Sequence, residues 1–276
     1  MHAEATQAAG NMGKQVGEMI MHHITNGNEV DLGFTKIHLP AIASFEVAGV
    51  HIDMSITKVV FFMMVAAFLL VLMALVVRRK IGLVPQGMAN FVETLVLFIR
   101  DDVAKQTMGE HAAAKYTPYL STTFFFILTC NLLGILPGGT TPTGNVNVTA
   151  GLAGIAFFMI QFAGIKKLGI GGWLGHLMPP GVPWWLAPVM IIVEILGMFA
   201  KPFALCIRLF ANMVAGHVVI LSLIGLVFIL GWAIAPITLG FGLFMYVLEL
   251  FVALLQAYVF TILTSLFIGL LVHSEH

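Results

Sequence analysis

Residues 184–230 read WWLAPVMIIVEILGMFAKPFALCIRLFANMVAGHVVILSLIGLVFIL, and after Gly231 residues 232–272 read WAIAPITLGFGLFMYVLELFVALLQAYVFTILTSLFIGLLV. At ~1.5 Å rise per residue, these stretches would be helices of about 70 Å and about 60 Å. The hydrocarbon core of a bilayer is only ~30 Å thick. Neither stretch has a polar hairpin in its middle. Each is therefore either bent at its Gly and Pro residues or a single long helix steeply tilted in a membrane. Gly231–Pro236 is the expected break between them.

The composition agrees with a membrane location. Of the 276 residues 59 % are hydrophobic and 9 % charged, where a soluble domain carries ~25 % charged residues. Such a chain cannot cover a water-exposed surface, which excludes a soluble enzyme, and it is too apolar to be disordered. Lys+Arg and Asp+Glu number 13 each, so there is no basic field for nucleic acid. Cys130 and Cys206 sit in apolar runs and read as packing residues.

The fold class expected is all-α and polytopic, with about five membrane helices. The spans are placed at about 57–77, 119–136, 146–165, 186–230 and 233–272. A polar leader, 1–55, precedes a single membrane domain, 56–276. The leader has no apolar h-region, so it is not read as a secretory signal. An amphipathic helix is expected around Met12–Ile24. His2, His22, His23, His38 and His51 lack zinc-helix spacing, and no metal or cofactor is expected. Arg78-Arg79-Lys80 follows the first span, and Lys166-Lys167 follows the third. Both clusters belong on the cytoplasmic side, which puts the N-terminus outside and the C-terminus in the cytoplasm. Gly82–Lys115 reads as an amphipathic helix on the cytoplasmic surface, with Phe91, Leu95, Phe98 and Ile99 on its apolar face. Leu168–Trp185, rich in Gly and Pro, reads as a re-entrant or surface loop.

Charge is scarce from Leu168 onward: Glu194, Lys201, Arg208, Glu249 and Glu275. An ionisable group inside a membrane is costly, and so is a functional hypothesis by default. Glu194, Lys201 and Arg208 are spaced by sevens, which drifts only ~20° per step on a helix, and Asn212 lies four beyond on the same side. Gly242, Glu249 and Gln256 repeat the spacing. Interhelical hydrogen bonding is the bland account of these stripes. For Lys201, snorkelling to the cytoplasmic interface is the favoured one. Arg208 stays protonated under nearly all conditions, so it suits a fixed charge rather than a proton carrier. Glu194, His217 and Glu249 can change protonation state and suit a proton path, with Asn212 and Gln256 orienting water beside it. His217, nine residues after Arg208, falls on the opposite side of an ideal helix.

Four ordered motifs resemble subunit a of F-type ATP synthases. Lys201-Pro202-Phe203-Ala204-Leu205-Cys206-Ile207-Arg208-Leu209-Phe210-Ala211-Asn212-Met213-Val214-Ala215-Gly216-His217 is similar to its signature, and Leu254-Leu255-Gln256-Ala257-Tyr258-Val259-Phe260 to its last helix. Asn131–Pro137 and Pro142–Thr149 are similar to its central hairpin. The resemblance implies a stator subunit of the proton channel, without nucleotide chemistry of its own. Its last two helices would wrap a rotating ring of c subunits, each bearing a mid-membrane carboxylate. Two half-channels would reach that ring from opposite sides. The implied partners are the c-ring, the peripheral-stalk b subunits, the rest of the complex and the lipid, most naturally in a bacterial inner membrane. The family's essential arginine maps onto Arg208, and the glutamine facing it onto Gln256. Glu194, Asn212, His217 and Glu249 map onto half-channel positions.

One departure is informative. Many bacterial members have glutamate where this chain has His217 and histidine where it has Glu249. An exchange that preserves the pair places the two side by side, in the outer half-channel. Ala204 stands where a small hydroxyl is common. A stand-alone ion channel or secondary transporter is the alternative reading, although the chain has no carboxylate ladder across the membrane. Haem or quinone binding would need facing histidine pairs. A bare anchor leaves Arg208 without a reason, and the phosphate-binding G-x-x-x-x-G-K-[ST] loop is missing.

Overall fold

The computed structural model of the chain describes residues 13–14, 17–18, 21, 27, 29–31, 36–38, 40, 45–47, 50–52, 55–79, 87–136, 139–176 and 185–272. In the leader, Gly13, Lys14, Gly17, Glu18 and Met21 are helical. The remainder of the helix expected at Met12–Ile24 lies outside the described residues, as do His2, His22 and His23. Two antiparallel strand pairs follow, which residue patterning does not predict. β1 (Glu29–Asp31) pairs with β2 (Lys36–His38), and β3 (Phe45–Val47) pairs with β4 (Val50–Ile52). Three-residue strands are too short for a period of two to stand out.

From Lys58 onward every described element is helical. α1 is Lys58–Arg79 and α2 is Met88–Leu97, which passes through a π-helical stretch, Phe98–Ala104, into α3, Lys105–Ile135. A 3₁₀ turn at Pro142–Gly144 leads to α4, Val146–His176. α5 is Ala187–Leu230, and after a 3₁₀ turn at Trp232–Ile234 comes α6, Ala235–Val272. Among the described residues, five helices are long and apolar enough to cross a membrane.

α5 runs unbroken for 44 residues and α6 for 38. Of the two possibilities for these stretches, bent or continuous, the single long helix is the one adopted. α5 continues through Pro202, whose missing N–H leaves the Met198 carbonyl without its usual partner. The break falls where expected: Gly231 takes φ +83°, a conformation costly for residues with a Cβ, and Pro236 sits in the first turn of α6, where no N–H is needed.

One expectation is corrected, and one helix is longer than the span placed on it. The helix that begins at Lys105 runs through to Ile135 with a kink at Gly109 (φ 73°, ψ 166°), so it extends N-terminal of the span placed at about 119–136. Likewise α4 resumes after Gly169 (φ 71°, ψ 171°) and is helical to His176, where a loop was expected. Residues 177–184, the rest of that loop, lie outside the described residues. In both places one left-handed glycine redirects a helix without ending it, and polarity along the chain cannot distinguish the two. The region read as an amphipathic surface helix is helical from Met88 and leaves Phe91 60 % exposed, while Ala89, Val92, Ile99 and Val103 are buried.

The chain forms two compact units. The first comprises Met1–Phe68, Leu128–Asn145 and Phe210–Leu255. Ile135, Met213 and Ala253 form its core, with Val252 against them. Buried polar groups tie its helices together: Thr143 Oγ1 donates to Asn131 Oδ1 at 2.6 Å, Asn131 Nδ2 to the Ala253 carbonyl at 3.2 Å, and the Tyr246 hydroxyl to the Ile135 carbonyl at 2.8 Å. Polar groups away from water must be paired in this way. The second unit comprises Leu69–Ile127, Val146–Leu209 and Gln256–His276. There Thr107 and Ser265 share a hydroxyl–hydroxyl bond. A Cβ at Gly269 would lie 2.1 Å from the Thr107 carbonyl oxygen, so the end of α6 meets α3 backbone to backbone. The outward surface is largely apolar, with Phe68 at 66 % and Phe158 at 72 % exposure, as lipid contact requires.

Candidate functional site

In the first unit, Val214, His217, Leu221 and Ile224 recur at three- and four-residue intervals along α5 and line one cavity of about 390 Å³. α6 presents Tyr246 and Glu249 to the same space. His217 Nδ1 lies 3.0 Å from Glu249 Oε1, so the two residues whose types are exchanged relative to many bacterial members are in contact. Glu249 is only 4 % exposed. Its Oε1 has no hydrogen bond aligned on it, so the pair is a charge contact between an imidazole and a buried carboxylate. Such a carboxylate is costly unless a cation or a proton neutralises it. Gly216 makes the approach possible: a Cβ there would stand 2.9 Å from Glu249 Oε1.

Arg208 lies elsewhere. Leu205, Leu209 and Met213 form the buried stripe of α5, which turns Arg208 and Asn212 outward. Ala204, Ala211 and Ala215 are exposed around them. The guanidinium makes no ion pair among the described residues. Small side chains around a charge on an apolar helix leave room for another helix to come close. Gln256 is buried, at 1 % exposure, in a stripe of α6 that also holds Glu249, Ala253, Phe260 and Thr264.

Glu194 and Lys201 meet at a cavity of about 260 Å³ in the second unit, together with Gln161, Trp173 and Phe267. Lys201 Nζ stands 5.2 Å from the centre of the Phe267 ring, within cation–π range, and Trp173 Nε1 donates to Gln161 Oε1 at 3.1 Å. Among the described residues no three His, Cys, Asp or Glu side chains gather as a metal site.

Residue types and spacing do not single out Thr141, whose hydroxyl bonds His217 Nε2, nor Gly216 and Tyr246. For Thr141 a signal exists. Three threonines stand within Thr140-Thr141-Pro142-Thr143, an unusual density of hydroxyls for a loop flanked by membrane helices. Gly216 and Tyr246 carry none, since single residues of these types are common in apolar helices.

A family model described as "ATP synthase A chain" matches residues 59–269. "ATP synthase subunit a 2" of Chlorobaculum tepidum is 49 % identical over 286 residues, covering 99 % of this chain and 79 % of the relative. "ATP synthase subunit a" of Chloroherpeton thalassium is 48 % identical, over 93 % of this chain and 77 % of the relative. The protein of that name from Anaeromyxobacter dehalogenans is 45 % identical, over 97 % and 74 %.

Proposed function

The chain belongs to the ATP synthase A chain family, and from that premise we propose that it is the stator that passes protons to and from a rotating carboxylate ring. It is a multi-pass membrane protein and a component of the F-type ATP synthase membrane sector. The finer reading is as follows. One half-channel opens to the outer side and runs through the cavity of His217 and Glu249. The other opens to the cytoplasm beside Glu194. Arg208, with Asn212 next to it and Gln256 as its partner, faces the ring, keeps each passing carboxylate ionised and separates the half-channels. The c-ring and the b subunits of the peripheral stalk are the direct partners. Nucleotide chemistry belongs to other subunits. The setting is a bacterial plasma membrane, with the N-terminus outside and the C-terminus in the cytoplasm.

One observation carries this reading: a titratable pair, buried Glu249 against His217 at 3.0 Å, beside a cavity within a membrane protein. A buried carboxylate and an imidazole that can each take a proton are what a proton path needs.

Reconstitution tests it. The purified chain alone in liposomes is expected to conduct no protons under a potassium diffusion potential. The chain with its ring and stalk partners is expected to conduct, at least about tenfold above the chain alone, because positioned proton-transfer groups contribute on that scale or more. Conduction by the chain alone would favour a stand-alone channel or transporter.

Gly216→Ala probes the pair by geometry. The new methyl meets the far end of a flexible side chain, the Glu249 carboxylate at 2.9 Å, so the complex is expected to assemble. Moving that carboxylate should slow ATP-driven proton pumping by about 100-fold, the low end of the effect of displaced proton-transfer groups. Pumping at the wild-type rate with assembly intact would mean that the position of Glu249 does not matter.

A further inference from the structure

We propose that Thr141 is the positioning and relay residue for His217, a role that rests on the half-channel reading and adds a residue to it. Thr141 is 4 % exposed, in the segment between α3 and α4. Its hydroxyl bonds His217 Nε2, while Nδ1 of the same ring faces Glu249 Oε1 at 3.0 Å. The two ring nitrogens are thus engaged by different parts of the fold, and the imidazole cannot flip without breaking both contacts. The hydroxyl itself is confined. A Cβ at Gly134 would lie 1.6 Å from Thr141 Oγ1, so the α3 backbone passes directly behind it. Next in the segment, Thr143 is anchored on buried Asn131.

The titratable residues lining the cavity with His217 are Glu249 and Tyr246, both from α6; Thr140, Thr141 and Asn145 of the segment between α3 and α4 line it as well. Thr141 lines the cavity of about 390 Å³. That is room for several waters at ~30 Å³ each.

A hydroxyl can both donate and accept, which lets Thr141 serve the ring in either protonation state. Toward neutral imidazole, Oγ1–H donates to Nε2. As that proton passes to Nε2, Oγ1 takes one from a hydronium in the cavity. The hydroxyl is regenerated, one water is left, and the imidazolium stands beside the Glu249 carboxylate. The reverse sequence returns the proton to the cavity.

The test compares passive proton conduction in vesicles carrying the assembled membrane sector, with assembly checked by co-purification. Thr141→Val keeps the shape and removes the hydroxyl; Thr141→Ser keeps the hydroxyl and trims the shape. Thr141→Ala removes the hydroxyl without bulk and stands in if the valine variant does not assemble. The valine or alanine variant is expected to lose about 100-fold, the low end for a lost proton-transfer group, and serine to recover to within about twofold of wild type. Val or Ala conducting like wild type, or Ser falling as far as Val, would overturn the relay. Glu249→Gln is measured alongside. If it loses conduction while Thr141→Val does not, only the relay fails. If neither loses conduction, the half-channel reading fails with it.

Discussion

Arg208→Ala is expected to abolish ATP-driven acidification of inverted membrane vesicles, with the complex still assembled. Arg208 is an exposed, permanently protonated group on a helix otherwise almost wholly apolar, and it forms no ion pair among the described residues. A cation in lipid is tolerated where an anion comes to meet it. On the proposed reading that anion is the carboxylate of each passing ring subunit. The alanines around Arg208 let that helix come near. Removing a preorganised charge from a low-dielectric site typically costs at least about 100-fold in rate, so pumping should fall to background. Because the side chain points out of this chain and holds none of its described elements together, assembly should survive. On the same proposed reading, passive leak through the sector should persist, since the charge proposed to separate the half-channels would be gone while the channels remained. Undiminished pumping would return the chain to the anchor or independent-transporter readings.

The second large effect concerns the pair. His217→Glu alone would put a second carboxylate in place of the imidazole whose Nδ1 lies 3.0 Å from buried Glu249. Two like charges in one buried site cannot both stay ionised. Glu249→His alone would set two imidazoles face to face and remove the acid. Either single change is expected to cut ATP-driven pumping by at least about tenfold, because one positioned proton-transfer group is lost. The double exchange restores one acid and one base across the same gap. Contacting residues couple by up to about 3 kcal/mol. A coupling of about 2 kcal/mol, roughly 30-fold in rate, is expected. Additive losses in the double variant would mean that the contact does not bear on proton transfer.

Residue types and spacing carry much of this molecule. The long apolar runs, the break at Gly231 and the isolated charge of Arg208 are legible in them, whereas the exchange of His217 with Glu249 shows only through the family resemblance. The one misreading has a physical origin: Gly169 bends a helix where a Gly- and Pro-rich stretch suggests a loop. The cavity of His217 shows the same limit. Thr141 lies 76 residues from His217, in a segment with no periodicity to place it.

Length, apolarity and the order of the helices follow from sequence alone, because helix rise and transfer into lipid are sums over neighbouring residues. The sparsity of charge follows too, and with it the short roll of groups able to handle protons. Tertiary structure decided how those groups meet, and it alone brought Thr141 to His217. Each residue added turns a helix by ~100°, so facing is set by how each helix is rotated against the next. That rotation is selected by packing around residues such as Gly134, Gly216 and Ala253, whose small size makes close approach possible and whose partners lie on other elements.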